Sequence, residues 1–156
     1  MKKDIFKTNS YYEGLVQNLY AGSKGCFSTF MHFFYQYNLS VVFDSYLAEC
    51  FKKLYEIELE NCEILARLLL QMGGDNKYYS SSRKFLSGNN VDYIKNFQKI
   101  FVLDIELLEI GVLEVKSLIA KIENFSIKQN LNIVLENKKK SLKILKENYF
   151  RNNLIE

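Results

Sequence analysis

Leu47, Phe51, Leu54, Glu58, Asn61, Leu65, Leu68 and Met72 follow one another at alternating steps of four and three residues. Such a run is the inward stripe of a long helix in a bundle, and it constrains this chain more than any other feature. Two members, Glu58 and Asn61, are polar and sit in the middle of the stripe. A carboxylate facing a bundle interior must be ligated, paired or protonated. The stripe therefore points to an all-α fold and to a site within it.

The chain has no proline and only seven glycines in 156 residues, which favours long uninterrupted helices. Periodicity predicts four helices, over about 12–37, 44–72, 91–122 and 126–149. The first turns Leu15, Leu19, Gly22, Cys26, Phe30 and Phe33 inward, and Asp44 is placed to cap the second. Gly73-Gly74-Asp75 ends the second helix with a glycine stop. The third points Ile94, Phe97, Phe101, Leu108, Val112, Val115, Ile119 and Ile122 inward. The fourth, with Ser126 as its expected cap, points Leu131, Val134, Lys138, Leu142, Leu145 and Tyr149 inward, with Ser141 beside Leu142.

The first connection is short, around Asn38 to Phe43, and the third shorter, around Glu123 to Phe125. The second, Gly73 to Asn90, can extend about 55–60 Å, enough to cross the length of a bundle. Two antiparallel hairpins joined by one long crossover make a ferritin-like four-helix bundle, in a single domain spanning residues 1–156. The crossover, with Tyr78, Tyr79 and Ser80-Ser81-Ser82, is the segment expected to move or to meet a partner.

Several function classes are excluded or disfavoured. A net charge of +3 with both signs interspersed demands no charged partner, and no basic-aromatic stripe suits nucleic acid. Cys26, Cys50 and Cys62 form no C-x-x-C, and their odd number argues against a disulfide framework. Cys50 and Cys62 lie roughly 18 Å apart on one helix and cannot pair with each other. A reducing cytoplasm is the expected setting. The first residues lack the apolar core of a signal peptide. Gly25 to Phe43 carries no charged side chain, but Ser28, Thr29, His32, Gln36, Asn38 and Ser40 interrupt it, which argues against a membrane span. Lys and Asn are frequent and Arg is rare, a bias expected of an AT-rich bacterial genome.

Ordered motifs along nearly the whole chain carry a resemblance. Tyr20-Ala21-Gly22 followed by Ser28-Thr29-Phe30, the run from Glu58 to Leu65, Gly73 to Tyr78, Ser87 to Tyr93, and Asp104-Ile105-Glu106 occur in sequence. Together they resemble the ferritin-like di-iron and di-manganese carboxylate proteins, most closely the small rubrerythrin-related bacterial branch. In that superfamily two helices each supply a Glu and two each supply Glu-x-x-His, with hard carboxylates bridging two cations.

The resemblance places those ligands at Cys26, Glu58, Asn61, Leu108, Lys138 and Ser141. Only Glu58 keeps the expected type, and His32 is the one histidine of the chain. Shifting the third helix would recruit Glu106 or Glu109. Glu136 lies roughly 160° around the fourth helix from Lys138. The resemblance thus implies a degenerate site and no cofactor, with iron or manganese as the alternative.

Lys138 suggests what replaced the metals. It stands on the same seam as Glu58, so a buried Glu58–Lys138 pair is expected, with Asn61, Ser141 and Cys26 as hydrogen-bond partners. The competing reading has Lys138 snorkelling outward with Lys139 and Lys140. The expected function is a non-catalytic structural or protein-interaction module, a homodimer with a further protein partner. The alternatives are a ferritin-like oxidoreductase or peroxide- and iron-handling protein with a remodelled site, and a thiol redox protein acting through Cys26. His32 is read as a packed or hydrogen-bonded residue, with a peripheral ligand or proton carrier as the alternative and no partner visible in the sequence.

Overall fold

The computed structural model describes residues 10–153, which contain five α-helices, a short 3-10 helix and one isolated bridge. The α-helices are α1 (Ser10–Ala21), α2 (Cys26–Phe43), α3 (Ser45–Gln71), α4 (Phe97–Lys121) and α5 (Phe125–Asn153). No helix among the described residues is long and apolar enough to cross a membrane.

The first predicted helix is two helices. Gly22 and Gly25 bring the backbone of the break against the last turn of α1, where a Cβ would meet the Asn18 carbonyl oxygen at 2.5 and 2.8 Å. Only glycine fits such an approach. The expected loop from Asn38 to Phe43 is helical instead, and Asp44 alone turns the chain. Its carboxylate accepts from the Tyr46 and Leu47 amides at 2.8 and 3.1 Å, capping α3.

Other boundaries move for similar reasons. At the far end of α3, Gly73 takes a left-handed φ of 83°, and the Gly74 amide reaches the Leu69 carbonyl at 2.9 Å. α4 starts at Phe97 rather than Val91, because Asn96 caps it by accepting from the Lys99 amide at 3.0 Å. Asn124, not Ser126, caps α5, accepting from the Ile127 amide at 3.0 Å.

The crossover is tied down. The Gln17 amide donates to the Lys77 and Tyr79 carbonyls at 3.0 and 2.6 Å, and Asn18 accepts from the Ser81 amide at 2.8 Å. Tyr79 bridges Phe85, and Ser87 caps the 3-10 turn Gly88–Asn90.

All eight members of the heptad stripe are buried. The core divides into two apolar clusters along the bundle. One joins α1 to the ends of α3 and α4 and the start of α5, around Leu65, Leu68, Val115 and Leu131. The other joins α2 to the starts of α3 and α4 and the end of α5, around Phe33, Phe51, Phe101 and Leu145. α3 and α4 therefore run parallel, α2 and α5 against them, as the long crossover requires. Between the clusters lies a waist of buried polar residues: Thr29, His32, Glu58, Asn61, Asp104, Lys138 and Ser141.

Candidate functional site at the bundle waist

Each helix reaches the waist by its own register. The steps that bury Leu54 and Leu65 on α3 bury Glu58 and Asn61 between them. On α5 the same logic buries Lys138 between Val134 and Leu145. Its ammonium lies 3.3 and 3.5 Å from the two oxygens of Glu58, and neither residue is more than 4% exposed. Burial by itself would lower the Lys138 value, but the charge and hydrogen bonds of Glu58, together with the nearby Cys26 and Cys62, outweigh it and hold the ammonium above its ordinary range.

Room for that side chain comes from α4. A Cβ on the buried Gly111 would stand 3.4–3.5 Å from the last carbons and the nitrogen of Lys138. The lysine stem therefore crosses directly over the bare helix backbone. The sequence signal for this arrangement is a glycine, Gly111, interrupting a strongly helical stretch.

All six positions that the resemblance marks as ligand positions, Cys26, Glu58, Asn61, Leu108, Lys138 and Ser141, are buried. The structure brings Glu58 and Lys138 together, but it assigns the expected hydrogen-bond partners elsewhere. Asn61 accepts from the Asn137 amide at 3.0 Å. The Ser141 hydroxyl and the Asn61 amide nitrogen have no hydrogen-bond partner among the described residues. Cys26 faces Cys62, sulfur to sulfur at 3.1 Å, with the Tyr20 carbonyl at 3.5 Å. Leu108 packs in the apolar cluster beside the waist. Glu106 and Glu109 are exposed, and Glu109 pairs with Lys146 at 2.7 Å.

A second ionic link crosses the waist. His32 Nε2 lies 2.6 Å from Asp104 Oδ1, with both residues buried. Burial would push His32 down, yet the bond and charge of Asp104 raise it above its ordinary value. Burial likewise raises Asp104 by more than His32 lowers it. His32 thus has a partner after all. The sequence does not show the contact, because the two residues lie 72 positions apart on helices whose relative rotation it does not fix.

Among the described residues, no group of three or more His, Cys, Asp or Glu is placed to hold a metal ion. The donor set itself does not suit a dinuclear carboxylate site, because a fixed cation already faces the one inward carboxylate of the ligand positions. A cavity of about 870 Å³ opens elsewhere, between α1, the crossover and the second half of α4, and none of the six positions lines it.

Nearly the whole chain superposes on a solved structure of known kind. The crystal structure of wild-type KatB, a manganese catalase from Anabaena, matches with a TM-score of 0.85 at 12% identity, covering 98% of this chain and 77% of that one. The fold is ferritin-like. At that identity the likeness concerns the fold and not the chemistry. No protein-family model matches the chain, and no curated protein matches it in sequence.

Chemically, the waist of this ferritin-like bundle offers a neutralised carboxylate and a histidine–carboxylate link, and the apolar cluster beside it holds two thiols in contact.

Proposed function

We propose that this chain is a ferritin-like protein that has exchanged a metal centre for a fixed internal ion pair, and that it works as a non-catalytic structural or protein-interaction module. The observation that carries this reading is Lys138, whose ammonium stands 3.3 Å from Glu58 at the bundle centre. An ammonium there does for one carboxylate what a divalent cation does for several. It also repels any cation approaching the same oxygens. The ordered motifs support a place among the rubrerythrin-related bacterial proteins.

A remodelled oxidoreductase built on Glu58, Cys26 and Glu109 has less support, since Glu109 is on the surface and paired with Lys146. The buried free thiols support a reducing, cytoplasmic setting. Exposed Val41, Val42 and Phe43 at the α2–α3 turn, at 55%, 76% and 71%, support self-association as a homodimer. Tyr78, half exposed and packed on Phe27, is the crossover residue best placed for a further protein partner.

The test is metal content by plasma mass spectrometry on untagged protein made with iron and manganese supplied. The expected result is below about 0.1 metal per chain, against the two of an intact carboxylate site. One or two tightly held metals would overturn the reading. The reversion Cys26→Glu, Asn61→His, Leu108→Glu, Lys138→Glu and Ser141→His is expected to gain two metals, and a folded variant that gains none would refute the residue mapping. Light scattering checks the dimer.

A further inference from the structure

The three cysteines are not equivalent. Cys26 and Cys62 touch, sulfur to sulfur at 3.1 Å, across the interface between the start of α2 and the middle of α3. Cys50 is also buried but belongs to the other apolar cluster, away from both of these cysteines. Burial raises the thiol values of both Cys26 and Cys50, the latter to about 12, so both rest as thiols. What separates them is geometry: only Cys26 has a second sulfur to close upon.

We propose that Cys26 and Cys62 are a two-electron redox site that closes to an intrachain disulfide when hydrogen peroxide oxidises it, and reopens with a dithiol. In the first step one sulfur attacks the peroxide, the O–O bond breaks, and a sulfenic acid and one water form. In the second the other sulfur displaces the hydroxyl of that sulfenic acid, releasing a second water. Two thiol hydrogens and two electrons leave the protein, and the peroxide is reduced to two waters. A dithiol reverses the bond by exchange and is itself oxidised to a disulfide.

Position favours the pair. Cys26 is the first residue of α2, directly after the Gly22–Gly25 break, so its sulfur can shift without breaking the helix that follows. The Lys138 ammonium favours a Cys26 thiolate, while Glu58 opposes it. Burial makes the first step slow. The contact makes the second fast, which protects the sulfenic acid from further oxidation.

The test uses the full chain, stripped with a chelator, exposed to hydrogen peroxide and then unfolded with an alkylating reagent. Alkylatable thiols are expected to fall from three to one, the survivor being Cys50, with peptide mapping joining Cys26 to Cys62 and dithiothreitol restoring all three. C50S should still close the bond, and C26S and C62S should not. Retention of all three thiols, overoxidation of single cysteines, or disulfides between chains would overturn the proposal. If either serine variant fails to fold, C50S still decides, because its two remaining thiols must vanish together. The chelated sample separates this outcome from metal binding, so metal found in the untreated protein would refute the proposed function without touching the disulfide.

Discussion

Two buried ionic links cross the same waist, and they differ in kind. Glu58–Lys138 ties α3 to α5 with a permanently charged lysine at 3.3 Å. His32–Asp104 ties α2 to α4 at 2.6 Å, through a titratable histidine whose value Asp104 raises against the effect of burial. The first is set against pH, while the second changes with it. Burial opposes the charges in both, so each depends on its partner. A bundle can therefore carry a polar layer between two apolar clusters if every charge in the layer finds an opposite one.

Removing one partner of the permanent pair is expected to cost the most. Lys138→Met leaves Glu58 buried and alone, with an expected loss of about 3–5 kcal/mol in chemical denaturation. Adding Glu58→Leu to that variant should restore stability to the wild-type level or above it. A neutral Lys138→Met with Glu58 still buried would break the contrast between a paired and an unpaired charge.

Asp104→Asn tests the titrating link, with an expected loss of about 1–3 kcal/mol at pH 6. The sign of its pH dependence is more telling than its size. A histidine raised in the folded state stabilises fully below its ordinary 6.5 and loses that contribution as pH rises through the folded value. Asp104, also raised, acts in the same direction from its ordinary 3.8 upward. Wild-type stability should thus decline between pH 6 and 8 more steeply than that of the variant. In Asp104→Asn burial dominates His32, and the slope should flatten or reverse, with exposed Asp92 the remaining carboxylate that lifts His32. Denaturation midpoints across that range decide it, and parallel slopes would refute the link.

Smaller effects sharpen the picture. Asn137→Ala removes the donor to Asn61 and should cost about 1 kcal/mol by thermal unfolding. Ser141→Ala removes a buried hydroxyl without a partner among the described residues, and should be neutral or stabilising by up to about 1 kcal/mol. A loss above that size would mean the hydroxyl has a role in the waist.

The Glu58–Lys138 contact was legible because both residues stand on inward stripes, and two opposite charges at one level of a bundle have few other solutions. Cys26–Cys62 was not. Cys62 sits one residue off the heptad stripe, beside Asn61, and reaches Cys26 only because of how α2 is placed on α3. The break at Gly22–Gly25 was hidden by an apolar rhythm that continues across it, from Leu19 to Cys26. Nothing in the periodicity showed that Cβ atoms there would strike the Asn18 carbonyl.

The sequence by itself determined the helical class, the buried stripe of α3, the long crossover and the polar character of the waist, since helical periodicity assigns each residue an angle around its own axis. It does not assign the rotation and axial offset of one helix against another. Those came from packing, and they decided that His32 meets Asp104, that Asn61 meets Asn137, that Gly111 makes way for Lys138, and that two of the three thiols touch.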